Sequence, residues 1–348
     1  MRIKKVLAVF LMCIFLGISL CFADIYLMQN NEINGLIEEN HQLSHQLEVL
    51  KEPKDGVLYH GQLKVEGTDL VDCNREKFQL RGISSHGILW YPEYSNYRAI
   101  RTTKQFGANV FRIAMYTEPS KGYVNLPKES IDAVIMAVEN TLGADMYAIV
   151  DWHILKDGNP NTYVEKAIEF FDKISALYGD NPAIIYEICN EPNGDTSWED
   201  IVEYSNKVIP VIRKNAPDAL IIVGTPKYCT NLQGAVQNPL SFENVLYSFH
   251  YYTELGQENY VNTLSGAINR IPLFVSEWGI SDHPEGLTLA SGFVDYLNQN
   301  NISWVNWSLS NKEENYSLLR PDCKHFSNWT EECLTKTGKF IFERLKSY

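Results

Sequence analysis

A chain of 348 residues, 45% of them hydrophobic, can bury a large core as one big domain or two ordinary ones. Its formal net charge of −13 argues against nucleic acid as a partner and suits a neutral ligand. Twenty tyrosines, fifteen phenylalanines and seven tryptophans serve a core and sugar stacking equally well, so composition leaves that choice open.

The first segment is basic MRIKK followed by VLAVFLMCIFLGISLCFA (6–23), an unbroken apolar run of 18 residues. That is the pattern of a signal peptide, with small Ala23 before Asp24 as the cleavage point. The alternative is a retained membrane anchor, because the run approaches the length of a spanning helix. Residues 1–23 are therefore expected to direct the rest outside the cytosol, either secreted or anchored as a type II membrane protein. Sequons at Asn301, Asn306, Asn315 and Asn328 agree with export, although Asn306 sits inside an apolar strand and is not expected to be modified.

Residues 24–55 form a separate stalk or linker. Ile33, Asn40 and Leu47 recur every seven residues, as do Leu36, Leu43 and Leu50. The pattern fits either a solvated amphipathic linker or weak self-association through 24–52. Pro53-Lys54-Asp55-Gly56 then punctuates the chain, and the catalytic domain is expected to occupy 56–348.

From residue 57 onward, GQLKVEGTDLVDCNREKFQLRG reads as a two-stranded hairpin feeding a strand near 78–84. Apolar runs follow at 110–116, 147–153, 184–190, 220–225, 245–252, 273–279 and 302–310. Helical spacing fills the intervals around 96–107, 129–143, 161–178, 197–215, 258–270 and 286–300, with a last helix at 335–347. Alternating strands and helices over this length predict an α/β fold, a closed (β/α)8 TIM barrel with an N-terminal β-hairpin. A doubly wound sheet would carry a Gly-rich phosphate turn after its first strand, and none is present. Cys323 and Cys333 bracket a short polar loop and are expected to form a disulfide, whereas Cys189 reads as a small core residue. The sequence has no CxxC, no HExxH and no His/Cys set at metal-ligand spacing, so neither a metal nor a cofactor is expected.

Chemistry on such a barrel gathers at the C-terminal strand ends. Those ends carry His86 with Trp90 beyond it, Arg112 and Tyr116, Asp151-Trp152-His153, Asn190-Glu191, His250 and Tyr252, Glu277-Trp278, and Trp307. Each has an ordinary structural reading, but seven of eight strand ends converging on one rim is hard to explain by packing. Two carboxylates, Glu191 and Glu277, stand among His, Tyr and Trp, which is the apparatus of glycoside hydrolysis. An acid just past an apolar strand is partly desolvated, so Glu191 should be held protonated toward neutral pH.

The motifs IYEICNEPNGD and SEWG, with GISSHG, FRIAMY, DWHILKDGNPN, HYY and WVNWSLS, resemble glycoside hydrolase family 5 in clan A, and within it the bacterial-type endo-β-1,4-glucanases of subfamily 2. The resemblance runs from about 58 to 347. It implies Glu191 as acid/base, Glu277 as nucleophile and Arg112 as the cation beside that nucleophile. It also implies that Asn190 bonds the sugar 2-hydroxyl, and that His153, His250 and Tyr252 orient the carboxylates and the reacting sugar. His86, Trp90, Tyr116, Trp307, Lys312 and Glu314 correspond to groups that bind glucosyl units. Ser308 and Asn311 depart from the usual family residues, and Tyr228 in GTPKYC stands where a tryptophan is common. The implied activity is retaining hydrolysis of internal β-1,4-glucosidic bonds in cellulose and related β-glucans. Mannan, xylan and mixed-linkage glucan are alternative substrates, and a non-catalytic glycan-binding barrel is the alternative class. No carbohydrate-binding module is expected after the barrel.

Overall fold

The apolar runs form strands because they are rich in β-branched and aromatic residues and are buried on both faces, as a parallel sheet wrapped in helices requires. The structure is a computed structural model that describes residues 56–118, 120–179, 181–254, 259–281 and 283–347. The apolar run at 6–23 and the heptads at 24–52 lie outside the described residues. A short helix α1 (Val57–His60) precedes the antiparallel hairpin β1 (Lys64–Glu66) and β2 (Asp69–Val71). The barrel strands are β3 (Arg81–Ser85), β4 (Val110–Tyr116), β5 (Tyr147–His153), β6 (Ile184–Glu187), β7 (Leu220–Val223), β8 (Val245–Tyr252), β9 (Leu273–Gly279) and β10 (Ser303–Leu309). They close in the order β10-β3-β4-β5-β6-β7-β8-β9, every pair parallel. The expected (β/α)8 barrel with its N-terminal hairpin is the fold observed.

The connecting helices are α2 (Tyr97–Gln105), α3 (Pro127–Gly143), α4 (Val164–Tyr178), α5 (Trp198–Asn215), the short α6 (Gln233–Gln237), α7 (Tyr260–Ser265) and α8 (Gly286–Gln299), with α9 (Lys336–Lys346) last. Their starts follow local chemistry. Asn96 accepts from the Arg98 and Ala99 amides at the head of α2, and Ser197 with Asp200 forms a reciprocal capping box on α5. The helix expected at 258–270 is shorter, at Tyr260–Ser265. Cys323 and Cys333 are bonded, their Cα atoms 5.0 Å apart.

Inward-facing residues build the barrel in layers. At the N-terminal ends of the strands, Val110, Ile149, Ile185, Ile222, Leu246 and Phe274 fill the interior with Leu63, Leu70 and Phe78 from the hairpin region. This dry plug supports a polar layer one step further along the same strands: Arg112, Asp151, Glu187, Ser248 and Ser276, all fully buried. Strand β9 departs from strict alternation. Ser248 pairs with Phe274 but His250 pairs with Glu277, and β10 shows the matching shift from Trp304–Val275 to Asn306–Trp278. The extra residue is a β-bulge, and it turns the consecutive side chains of Ser276 and Glu277 both into the barrel.

Candidate active site

Arg112 is the centre of the polar layer. Its Nη1 donates to Glu277 Oε2 at 3.0 Å, its Nε to Glu187 Oε2 at 2.6 Å, and its Nη2 to Glu187 Oε1 at 3.1 Å and Asn190 Oδ1 at 2.7 Å. Asp151 Oδ2 lies 3.0 Å from the same Nη2. Burial opposes the guanidinium charge, but the three carboxylates outweigh it and hold Arg112 cationic. Burial raises the Asp151 carboxyl to about 8 against the pull of Arg112, with Glu277 and Glu191 adding to the rise.

Glu277 accepts a second bond, 2.6 Å from the Tyr252 hydroxyl, so both its oxygens face donors, as an ionised carboxylate requires. Burial and the Glu277 charge push the Tyr252 phenol well up, so it remains a donor. Gly279 makes this contact sterically feasible, because a Cβ there would come within 2.6 Å of the Tyr252 ring. Glu191 lies four residues beyond Glu187, where β6 ends three residues short of the expected 184–190 strand; Asn190 N instead donates to Trp152 O, and Pro192 has no amide to continue a ladder. Glu191 is 8% exposed, and burial raises its carboxyl to about 7, Glu187 adding to the rise while Arg112 opposes it. The direction is the one expected from the sequence. Atoms of Glu191, His250 and Glu277 all lie within 4.8 Å of one another.

Two histidines orient the site, His153 through the neighbours Asp151 and Asn190 and His250 through Glu191 itself. His153 Nδ1 is 2.6 Å from Asp151 Oδ2, and Asn190 Nδ2 reaches His153 Nε2 at 3.3 Å and donates to Ile154 O at 3.0 Å. Burial first, then Arg112, lowers His153 to about 3, so it is neutral. His250 Nδ1 is 2.8 Å from Glu191 Oε1 and its Nε2 is 3.1 Å from Ser276 Oγ. Burial lowers His250 to about 4.

One wall of the site is aromatic. Trp307 stacks on His153 (5.2 Å, 15°), Tyr116 lies 4.2 Å from His153, and Trp90 tilts against Tyr116 at 5.1 Å. Gly87 admits that pairing, since a Cβ would stand 2.7 Å from Trp90 and 2.9 Å from Tyr116. His86 joins Tyr91 and Trp307, and Lys312 Nζ contacts His86 Nε2 at 3.3 Å and Glu314 at 2.5 Å. Burial, then Lys312, lowers His86 to about 3. On the opposite side, Lys227 and Tyr228 line a hollow with Glu191, Thr230, His250 and Tyr252. Lys227, Tyr228 and Cys229 run through three consecutive left-handed conformations, pinned by Tyr228 N to Pro192 O and by Cys229 Sγ, 2.9 Å from Asn190 O.

Every site residue read from the sequence thus lies at this end of the barrel. Sequence reading passed over Glu187, Ser276 and Tyr91. A lone acid in the middle of the apolar strand IIYEIC was the available signal for Glu187.

The profile described as Cellulase (glycosyl hydrolase family 5) matches residues 71–313. The chain belongs to glycosyl hydrolase family 5. Within this family it is 40% identical over 312 residues to Endoglucanase A of Butyrivibrio fibrisolvens, covering 85% of this chain and 72% of that protein. It is 39% identical over 290 residues to an endoglucanase of Clostridium saccharobutylicum, covering 81% of this chain and 64% of that one. The chain therefore spans roughly two thirds of these relatives' length. Its fold matches the catalytic domain of Thermobifida fusca endoglucanase Cel5A with a TM-score of 0.79 at 31% identity, over 83% of this chain and 98% of that domain. A variant of the same domain was solved with cellotetraose, with a TM-score of 0.79 at 30% identity and coverage of 83% and 98%. As a member of family 5 the chain is a glycoside hydrolase of the cellulase group, as its motifs implied.

Proposed function

We propose that this family-5 chain is a retaining endo-β-1,4-glucanase in which Glu277 is the nucleophile and Glu191 the acid/base. The observation that carries the reading is the separation of the two carboxylates: their oxygens come within 4.8 Å. Retaining enzymes hold their carboxyl groups about 5–5.5 Å apart, whereas inverting ones leave about 6.5–9.5 Å for a water. Glu277 attacks the anomeric carbon while Glu191 gives its proton to the departing glycosidic oxygen. Glu191 then takes a proton from water as the hydroxyl displaces Glu277 and restores the original configuration.

The surroundings support that division of labour. Arg112 and Tyr252 donate to Glu277, keeping it an acceptor and nucleophile, while burial keeps the proton on Glu191. Asn190, oriented by Arg112 and His153, is assigned to the 2-hydroxyl of the reacting sugar. His86, Trp90, Tyr116, Trp307, Lys312 and Glu314 are assigned to glucosyl units on the glycone side, and Tyr228, half exposed, to the leaving-group side. The endoglucanase names of the relatives and the cellotetraose bound by the Thermobifida domain variant support a β-1,4-glucan as substrate. The sequence of residues 1–23 supports export. Among the described residues no helix is long and apolar enough to cross a membrane.

Release of reducing ends from carboxymethylcellulose, barley β-glucan, mannan and xylan tests the substrate directly. The reading requires the two glucans to be cleaved fastest; preference for mannan or xylan would replace it.

A further inference from the structure

We propose that Glu187 is a positioning residue for proton transfer: its carboxylate sets the direction of a hydrogen-bond relay through Ser276 and His250 that leaves the proton on Glu191. The inference rests on the assignment of Glu191 as acid/base and adds how its protonation state is fixed.

Glu187 closes β6 and is fully buried. Burial raises the Glu187 carboxyl and Arg112 opposes the rise, donating to both of its oxygens at 2.6 and 3.1 Å, the geometry of an ionised acceptor. Ser276 Oγ lies 2.7 Å from Glu187 Oε1 and must therefore be the donor in that contact. A serine hydroxyl has a single proton. Once it is given to Glu187, Ser276 can only accept from its other neighbours, Ser248 Oγ at 2.6 Å and His250 Nε2 at 3.1 Å. His250 is thereby held with its proton on Nε2. Burial keeps this imidazole neutral, so Nδ1 carries a bare lone pair. That lone pair faces Glu191 Oε1 at 2.8 Å, a contact that a protonated carboxyl fills and a carboxylate does not.

The charged and titratable groups around Glu191 and His250 come from every side of the barrel. They are Arg112 and Tyr116 on β4, Asp151 and His153 on β5, Glu187 on β6, Tyr252 on β8, Glu277 on β9, and Lys227, Tyr228 and Cys229 in the turn after β7. Arg112 favours the ionised acid; burial and the Glu187 charge favour the protonated one. The relay adds a directional contact to the second side. It serves both halves of the reaction. The Glu191 O–H breaks as the leaving oxygen gains its proton, and the resulting carboxylate, facing a lone pair, readily removes a proton from the incoming water.

The direct test is the tautomer of His250, read from imidazole ¹⁵N shifts in the free enzyme. The wild type should carry the proton on Nε2. In Glu187→Gln the new amide donates to Ser276, the relay reverses, and His250 should move its proton to Nδ1. Ser276→Ala, which leaves the Arg112–Glu187 pair intact, should shift the tautomer the same way by removing the acceptor on Nε2. In both variants the alkaline limb of kcat/KM on cellooligosaccharides should move down by about one pH unit. The loss should be several-fold smaller on a dinitrophenyl cellobioside, whose leaving group needs no proton. A wild-type Nδ1–H tautomer would overturn the proposal, as would variants that lose rate equally on both substrates with limb and tautomer unmoved. A wild type inactive on β-glucans would refute the functional reading instead, with the tautomer still deciding the relay.

Discussion

Glu277→Gln removes a charge that Arg112 and Tyr252 both contact, while keeping the side chain's shape. Turnover should fall by ~10⁴-fold or more because the covalent step is lost, with cellotetraose affinity in calorimetry little changed. Glu191→Ala should behave differently. On cellooligosaccharides it should cost about 10²–10⁴-fold, the range of a lost general acid, and much less on substrates with activated leaving groups. Added azide should partly restore its second step by attacking without a general base, giving a β-glycosyl azide. Equal losses on every substrate, with no azide product, would reverse these assignments. At this scale the sequence was informative where a residue's chemistry is rare for its setting: Arg112, Glu191, His250 and Glu277 stand out because polar groups at strand ends need partners. Glu187 escaped notice because its partner, Arg112, lies 75 positions away in the chain.

Among elements, β4, β5, β8 and β9 have the boundaries their sequences suggest, because strands buried on both faces read as unbroken apolar runs. The bulge in β9 was not legible. Period-two alternation sends Ser276 and Glu277 to opposite faces, and only pairing with β8 and β10 reveals the extra residue that brings both inward. Strand β6 was overread for a related reason: Ile188 and Cys189 are as apolar as the strand before them but belong to the turn that carries Asn190 and Glu191. The Cys323–Cys333 bridge was expected from its flanks, and the loop it closes packs Trp329 against Phe342 at 6.1 Å and Phe326 against Tyr94 at 5.8 Å. Replacing both cysteines by serine should cost roughly 2–3 kcal/mol by the loop-closure argument. Thermal melting should show a lower transition while specific activity below it stays unchanged, since the site takes no bond from the loop's cysteines. A variant with unaltered melting would mean that the packing alone holds the loop.

For the molecule as a whole, the plug of Leu63, Leu70 and Phe78 and the bond from Leu58 N to Asp145 Oδ1 close the N-terminal end of the barrel with residues after Gly56. A chain shortened to begin at Gly56 should therefore be a fully active monomer with the melting behaviour of the full chain. Association through 24–52 should be weak, because isolated helices of this length are marginal and an Asn at an a position weakens them further. Light scattering and specific activity of the two chains decide this, and an inactive barrel would show that the N-terminal segment belongs to the fold. The central claim is that one proton donor and one nucleophile, held within 4.8 Å, act in two displacements. Proton NMR of the first products of cellooligosaccharide hydrolysis, recorded before mutarotation, tests it most directly. The account predicts β-anomers first; initial α-anomers would contradict it.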